Sequence, residues 1–339
     1  MQPFSYVRPA SAADAVGAFA AAGSGARFIA GGTTLYDLMK LRIEQPGHLI
    51  DVTAIRGLDV IETGGDRLRF GALAPMSAVA ADPVVLRDYP VLAEALTKAA
   101  SQQLRNMATV GGNLLQRTRC MYFRNGAGST STVGVYPCNK RAPGSGCAAI
   151  GGLDRGQAVL GTSASCTAVS PGDWPVALTA MDATIEVLGP AGTRTLPIAE
   201  LYRLPGDTPH LEFTLAPGEM ITAITVPKTP AGRRSTYHKI RDRESYAFAL
   251  ASAAVALEMA GERVTIARIA LGGMATKPWR AHEAEQAVIG QALTPETALA
   301  AGRIALKGAS PGKSNGFKVE LGARTVADAL LIASARNRA

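Results

Sequence analysis

The amino-acid sequence predicts an α+β protein with two structural parts. Up to about residue 228 of the 339, short strand-like segments alternate with segments whose apolar residues recur at helical spacing. Further along, two long strand-like runs at 245–259 and 264–274 are joined by a turn containing glycine, and two helical stretches follow them. Hydrophobic residues make up 47% of the chain and charged residues 18%, which supplies a sizeable core and argues against disorder.

The first part opens with a strand, a helix and a second strand. Ser11 is expected to cap a helix that runs to about Ala22, with Asp14 in its first turn. After the second strand a turn with two glycines leads into helical spacing at 35–41, and further helices are expected from residue 77 and over 90–101. The predicted strands of this region cover 4–7, 27–30, 48–53, 58–63 and 67–73.

Residues 117–169 interrupt this pattern. The segment is rich in Gly, Ser, Arg and Cys, and hydrophobic periodicity fades, so we interpret it as an inserted loop region ordered by something other than a core. A helix at 174–181 and strands at 183–188 and 219–227 follow, and 228–232 is a plausible linker.

The second part is expected to form a hairpin that turns at 260–263, followed by two helices. Thr294 is a good N-cap and Pro295 suits the first helical position. The last helix is expected over 317–336.

The charge and hydropathy patterns exclude several function classes. The net charge is +8, but the basic residues are scattered among acidic ones, which disfavours nucleic-acid binding. No apolar run is long enough to cross a bilayer, and the N-terminus lacks the features of an export signal. We therefore expect a soluble protein without membrane insertion, cytoplasmic or exported to the periplasm with a signal-bearing partner.

Two glycine-containing segments are candidate ligand sites, Gly31-Gly32-Thr33-Thr34 and Thr109-Val110-Gly111-Gly112-Asn113. Glycines let backbone N–H groups approach a phosphate, and Thr and Asn add donors, so each could cradle a pyrophosphate. Neither matches the GxGxxG fingerprint, and both are equally compatible with ordinary tight turns.

All the cysteines of the chain lie in the 117–169 insert. They are Cys120, Cys138, Cys147 and Cys166, with spacers of 17, 8 and 18 residues. In a chain without an export signal this arrangement favours a metal or cluster site, with disulfides and ordinary buried thiols as alternatives. The lack of a CxxC pair makes zinc less favoured than an iron–sulfur cluster.

Basic residues near the cysteines would favour thiolates and offset the negative charge of a cluster, although a solvated loop would look the same. The four histidines form no ligand pattern, and no GxSxG, HExxH or Walker motif is present. The basic residues in question are Arg117, Arg119, Arg124, Lys140, Arg141 and Arg155.

The order of segments resembles the FAD-binding subunits or domains of the xanthine dehydrogenase and carbon monoxide dehydrogenase group. The resemblance covers essentially the whole chain. The insert, with Cys120-Met121-Tyr122-Phe123-Arg124 and Pro143-Gly144-Ser145-Gly146-Cys147, is similar to that of periplasmic-type aldehyde oxidoreductases, whose flavin subunit carries a [4Fe–4S] cluster, and 4-hydroxybenzoyl-CoA reductase has a comparable insert. The segments that carry the resemblance to the group are Phe4-Ser5-Tyr6, residues 28–35, residues 108–114, Ser170-Pro171-Gly172-Asp173 and Tyr237-His238-Lys239.

The resemblance implies a two-lobed FAD-binding domain of the vanillyl-alcohol-oxidase/PCMH type at 1–228 and a small C-terminal domain at 229–339. It also implies roles for individual residues. Asp173 would hydrogen-bond the cofactor, Ile221 would lie by the isoalloxazine and Lys239 near the ring edge. Residues that would contact the FAD pyrophosphate or flavin are Ile29, Ala30, Gly31, Gly32, Thr33, Thr34, Leu35, Thr109, Gly111, Gly112 and Asn113, and the cluster ligands would be Cys120, Cys138, Cys147 and Cys166.

One departure from the family pattern concerns the flavin ring. Some relatives have an aromatic residue about ten positions before the counterpart of Thr109, where this chain has Ala99-Ala100-Ser101. Stacking of such a ring on the flavin is therefore not expected here.

The implied function is electron transfer within a molybdenum hydroxylase. The expected partners are a large subunit with the molybdenum cofactor and a small subunit with two [2Fe–2S] clusters, and electrons would leave FAD for an external acceptor. The alternatives are a stand-alone flavin oxidase and a zinc-stabilised assembly module without redox function.

Overall fold

The computed structural model describes residues 1–126 and 135–336. No helix in these two ranges is long and apolar enough to cross a membrane. The strands are β1 Ser5–Val7, β2 Ala26–Ile29, β3 His48–Asp51, β4 Ile61–Glu62, β5 Arg67–Gly71, β6 Thr184–Gly189, β7 Gly192–Pro197, β8 Met220–Pro227, β9 Ser235–Ile240, β10 Ala251–Ala260, β11 Arg263–Gly272 and β12 Trp279–Arg280. The α-helices are α1 Ala12–Ala22, α2 Leu35–Lys40, α3 Met76–Ala81, α4 Pro83–Asp88, α5 Pro90–Thr97, α6 Gln102–Met107, α7 Val110–Leu114, α8 Met121–Arg124, α9 Trp174–Ala180, α10 Ile198–Leu201, α11 His282–Val288, α12 Pro295–Ala305 and α13 Phe317–Ala335.

The N-terminal lobe is a parallel sheet of three strands in the order β1-β3-β2. Parallel strands need a crossover, and α1 supplies the one between β1 and β2. The hydroxyl of Ser11 accepts from the backbone N–H of Asp14 at 3.1 Å, so the predicted N-cap is confirmed. Ala15 of α1 and Ile50 of β3 are fully buried where the helix covers the sheet.

The second lobe is an antiparallel sheet of five strands in the order β4-β5-β8-β6-β7, covered by helices. Its core includes Phe70 and Trp174, both fully buried, whose rings meet edge to face with centroids 5.8 Å apart. Helix α9 therefore fixes the end of the irregular insert against this sheet.

The C-terminal part is an antiparallel sheet in the order β12-β11-β10-β9, with α12 and α13 packed together and α13 lying on the sheet. Gly302 of α12 lies so close to α13 that a Cβ there would be 2.1 Å from the carbonyl oxygen of Ala323. The predicted hairpin and the Thr294 cap are confirmed, and the hairpin turns at Gly261, whose φ is 61°.

Several expected boundaries were wrong because of local backbone geometry. Strand β10 begins at residue 251, not 245, and Tyr246 has a φ of 53°, which extended strands do not adopt. Helix α5 ends at Thr97 and Ala100 has a φ of 47°, after which Ser101 caps α6. Within the expected linker at 228–232, Ala231 is fully buried.

Several helices and strands of the structure were not predicted from the sequence. The largest are β7 and β9, together with α4, α6 and α11. Strand β9 carries Lys239.

Candidate functional site

The first glycine turn connects β2 to α2. Ile29 ends β2, Leu35 begins α2, and residues 30–34 form the turn between them. Gly32 has a φ of 70°, a conformation that favours glycine. Gly31 is needed for another reason: a Cβ there would lie 1.8 Å from the carbonyl oxygen of Met107.

The close approach of Gly31 to Met107 brings the two glycine segments together, because Met107 lies two residues before Thr109. Helix α6 ends at Met107, and the second glycine segment begins two residues later, at Thr109. The two turns are therefore neighbours in space although they are about eighty residues apart in sequence.

The second glycine segment forms the short helix α7, which Thr109 caps. The Thr109 hydroxyl accepts from the N–H of Gly112 at 3.2 Å. Gly111 packs against Ala72, the residue that follows β5. The Gly111 N–H donates to the Ala72 carbonyl at 2.8 Å, and a Cβ on Gly111 would lie 2.6 Å from the Ala72 Cβ. Gly112 is exposed, whereas Gly111 is buried.

Asn113 carries an orphaned polar atom. Its side-chain oxygen is buried and has no hydrogen-bond partner in the part of the chain that is described, while its nitrogen contacts Met76 Sδ at 3.4 Å. A buried acceptor without a donor is costly, and a bound polar ligand would satisfy it. The two glycine turns and this atom fit a nucleotide cofactor.

Asp173 lies at the start of α9 and pairs with two residues of β9. Its carboxylate accepts from the Tyr237 hydroxyl at 2.6 Å and from the Lys239 ammonium at 2.9 Å. The side chains of Asp173 and Lys239 are 5% and 1% exposed, so the ion pair is almost dry. Burial raises the pKa of Asp173, and the Lys239 charge opposes that rise. The pair joins the five-stranded lobe to the C-terminal sheet.

These residues are connected to the second glycine turn by packing. Helix α7 contacts α9, and the residue before Asp173, Gly172, would place a Cβ 3.5 Å from the Gln116 side-chain nitrogen. Ile221 is 5% exposed in β8, and the neighbouring Thr222 carbonyl accepts from Ala72, the residue that also contacts Gly111. Strand β8, which carries Ile221, also contacts helix α7 of the second turn.

The four cysteines line one small cavity. All four are free thiols in the structure, so none of the disulfide alternatives is formed. Cys138 and Cys147 lie opposite each other in an antiparallel bridge, and Cys120 and Cys166 are brought to the same cavity from either end of the insert. Among residues 1–126 and 135–336, no group of three or more His, Cys, Asp or Glu side chains could hold a metal ion.

The sulfurs of two cysteines accept hydrogen bonds from N–H groups. Gln157 Nε2 donates to Cys120 Sγ, and the backbone N–H of Ala168 donates to Cys166 Sγ, each at 3.4 Å. Burial raises the pKa of Cys120, and it raises the pKa of Cys166 to about 11. In the metal-free chain both groups are therefore thiols at neutral pH.

The basic residues near the cysteines mostly have other partners, which corrects the expectation that they compensate thiolates. Arg117 pairs with Glu44 and Glu212, and Arg124 pairs with Asp37. Lys140 lines the cysteine cavity, where its charge lowers the pKa of Cys166. The others pair elsewhere: Arg119 with Asp37, Arg155 with Asp242, and Arg141 with the carbonyls of residues 122, 123 and 136.

Two residues of the site were missed by the sequence analysis. Tyr237 was seen only as part of a motif, and Gln157 lies in the irregular insert without any pattern. No local signal identifies them, because their partners are distant in sequence.

Comparison with known proteins identifies the family to which this fold belongs. A family model described as the FAD binding domain in molybdopterin dehydrogenase matches residues 2–229, and one for the CO dehydrogenase flavoprotein C-terminal domain matches residues 235–333. The fold and the glycine turns thus define an FAD-binding component of an oxidoreductase.

Individual relatives are similar over nearly the whole chain. The aldehyde oxidoreductase FAD-binding subunit PaoB of Escherichia coli (strain K12) is 47% identical over 99% of this chain and 100% of its own length. The carbon monoxide dehydrogenase medium chain of Afipia carboxidovorans is 30% identical over 86% of this chain and 81% of its own. The structure of carbon monoxide dehydrogenase from Hydrogenophaga pseudoflava superposes with a TM-score of 0.75 at 28% identity, covering 98% of this chain and 97% of that chain. The chain belongs to the family of FAD-binding medium subunits of the xanthine and carbon monoxide dehydrogenase group. The expected α+β class, with a C-terminal sheet and helices, is confirmed.

Proposed function

We propose that this chain is the FAD- and [4Fe–4S]-containing electron-transfer subunit of a heteromeric molybdenum hydroxylase of the aldehyde oxidoreductase or xanthine dehydrogenase type. The observation that carries the proposal is the contact of Gly31 with Met107, which makes one continuous backbone surface from the two glycine turns. When bound, FAD accepts electrons singly and delivers them in pairs to an external acceptor.

The residues of the turns have distinct proposed tasks. Residues 29–35 bind the pyrophosphate with backbone N–H groups, and Thr109, Gly112 and Asn113 bind the flavin side of the cofactor, with Gly111 providing the close packing. Ile221, which is buried in β8, lies by the isoalloxazine.

We propose that Asp173 and Lys239 border the flavin as a pre-oriented pair. Lys239 donates to Asp173 and to the Lys98 carbonyl at 2.9 Å each, which leaves one of its three N–H donors without a partner among the described residues. Tyr237 holds the other carboxylate oxygen. These hydrogen bonds fix the orientation of the Asp173 and Lys239 side chains.

We infer a cluster in the insert from the donor set. A single zinc ion binds thiolates at about 2.3 Å, so the sulfur atoms of its ligands must all lie close to one point. A four-iron cluster places iron and sulfide between the thiolates and spaces them farther apart. Four thiols that line one cavity, with no CxxC pair among them, favour the cluster over zinc.

The proposed partners are a large molybdenum-cofactor subunit and a small subunit with two [2Fe–2S] clusters. Support comes from the relatives, which are themselves named as medium chains or as an FAD-binding subunit. An aldehyde is the favoured substrate class, because the 47% identical relative belongs to an aldehyde oxidoreductase. We propose domain limits at 1–228 and 229–339.

The test is an inventory of the natively purified assembly for flavin, iron, sulfide and molybdenum. The proposal expects one FAD and four iron atoms in this chain, and molybdenum in a copurifying subunit. Flavin without iron or molybdenum would support the stand-alone oxidase instead. A colourless protein containing zinc would support the assembly module.

A further inference from the structure

Gln157 lies between the cysteine cavity and the C-terminal helix α13. It is 4% exposed, and its side-chain nitrogen lies 3.4 Å from Cys120 Sγ. Its side-chain oxygen is buried and has no hydrogen-bond partner within the ranges 1–126 and 135–336. A buried amide whose oxygen has no donor is oriented by its nitrogen, so the sulfur contact determines how Gln157 is placed.

This orientation matches a sulfur that carries no proton. A thiol can donate to an amide oxygen, whereas a thiolate that ligates iron can only accept. The amide of Gln157 turns its donor toward Cys120 and leaves its acceptor unused. The geometry is thus better suited to the metal-bound form of Cys120 than to the free thiol.

Lys318 lies on the other side of Gln157. It is 1% exposed, and its ammonium donates to the carbonyls of Gln157 and Gly273 at 2.9 and 2.6 Å. In the described part of the chain, no carboxylate lies within ion-pair distance of this ammonium. A buried cation held only by carbonyls is stabilised by negative charge nearby, and a thiolate-ligated cluster carries such charge.

The segment between Lys318 and the cavity is held rigidly. Asp154, 6% exposed, accepts from the backbone N–H groups of Lys313 and Ser314 at 2.6 and 2.8 Å. Asn315 donates to the carbonyl of Gln157 at 3.3 Å. The Gln157 amide and the Lys318 ammonium therefore keep their positions when the charge in the cavity changes. Groups held in place in this way stabilise a charge most strongly, because no stabilisation is lost in reorienting them.

We propose that Gln157 and Lys318 set the reduction potential of the cluster in the cysteine cavity, the amide by donating to the Cys120 sulfur and the ammonium by offsetting negative charge. The inference rests on the proposed [4Fe–4S] site. One-electron reduction adds one negative charge to the cluster, and hydrogen bonds and nearby cations stabilise the reduced form. Both residues thus raise the potential.

The test is a mediated redox titration of the purified complex, with the cluster followed by electron paramagnetic resonance. The variants are Gln157→Leu and Lys318→Met. Thr325→Val is the control on α13, since Thr325 is buried and its hydroxyl donates to the Leu321 carbonyl of the same helix. The [2Fe–2S] centres of the small subunit serve as internal references. Iron per chain and a thermal melt are measured on each sample.

We expect both variants to keep their iron and to shift the reduction equilibrium of this cluster at least tenfold toward the oxidised form, about 59 mV for a one-electron couple. The control and the [2Fe–2S] signals should not move. Iron retained with an unchanged potential would overturn the inference while leaving the proposed function intact. A wild-type complex whose iron is fully accounted for by the [2Fe–2S] clusters of the small subunit would overturn both. If Gln157→Leu does not fold, Gln157→Met, which is neutral and also lacks the amide N–H, decides by the same criterion.

Discussion

Gly31 lies against the backbone of Met107 so closely that no side chain fits between them, since a Cβ would be 1.8 Å from the Met107 carbonyl oxygen. This contact joins the turn after β2 to the segment that leads into α7. The cofactor surface we propose depends on it more than on any single side chain.

Gly31→Ala should therefore abolish or strongly reduce FAD binding, because the turn must move away from residue 107. The measurement is the ratio of flavin to protein in the purified variant, with circular dichroism to verify folding. Gly17→Ala is the matched control: Gly17 is in α1 with nothing within 4 Å of an added Cβ, so it should keep its FAD and be about 0.5–1 kcal/mol more stable. Full flavin occupancy in Gly31→Ala would contradict the proposed cofactor surface.

Cys138→Ser should lose the cluster iron and leave FAD largely bound. The cysteine cavity belongs to the insert, whereas the glycine turns belong to the two N-terminal lobes. Iron, acid-labile sulfide and flavin are measured per chain. Leu153→Ser controls for a change in the same insert, since Leu153 is 70% exposed and does not line the cavity. Unchanged iron content in Cys138→Ser would reject Cys138 as a ligand.

The Asp173 and Lys239 pair should show strong energetic coupling. Asp173→Asn or Lys239→Met alone leaves one buried charge without its partner and should cost about 3–5 kcal/mol. The double variant removes both charges and should recover part of that loss. Denaturant unfolding of the four proteins measures it. Additive losses would mean that the two side chains act independently.

Lys318 should make the stability of the metal-free chain depend on pH. Burial lowers the pKa of Lys318 from 10.5 to about 8, so between these values the unfolded chain binds more protons than the folded chain. Stability from this group therefore rises with pH across that window, by about 3 kcal/mol in total. We compare the Cys138→Ser background with and without Lys318→Met by denaturant unfolding from pH 7 to 10. The difference between the two curves should grow with pH, and parallel curves would refute the assignment.

Local features of the fold could be predicted from the sequence because they depend on neighbours in the chain. The Ser11 and Thr294 caps and the hairpin turn at Gly261 all arise within a few residues. The expected strand start at 245 and the helix over 90–101 failed where Tyr246 and Ala100 adopt left-handed conformations, which apolar spacing does not report.

The composition and order of segments by themselves determined the α+β class, the irregular insert and the resemblance to FAD-binding subunits. Only the tertiary structure decided which groups meet: Gly31 with Met107, Asp173 with Lys239, and four cysteines around one cavity. It also decided that most of the arginines near the cysteines bind carboxylates and carbonyls, and that the Gln157 amide contacts Cys120. The physical reason is that periodicity and capping are short-range properties, whereas a binding site is made by long-range packing that brings distant segments to one point.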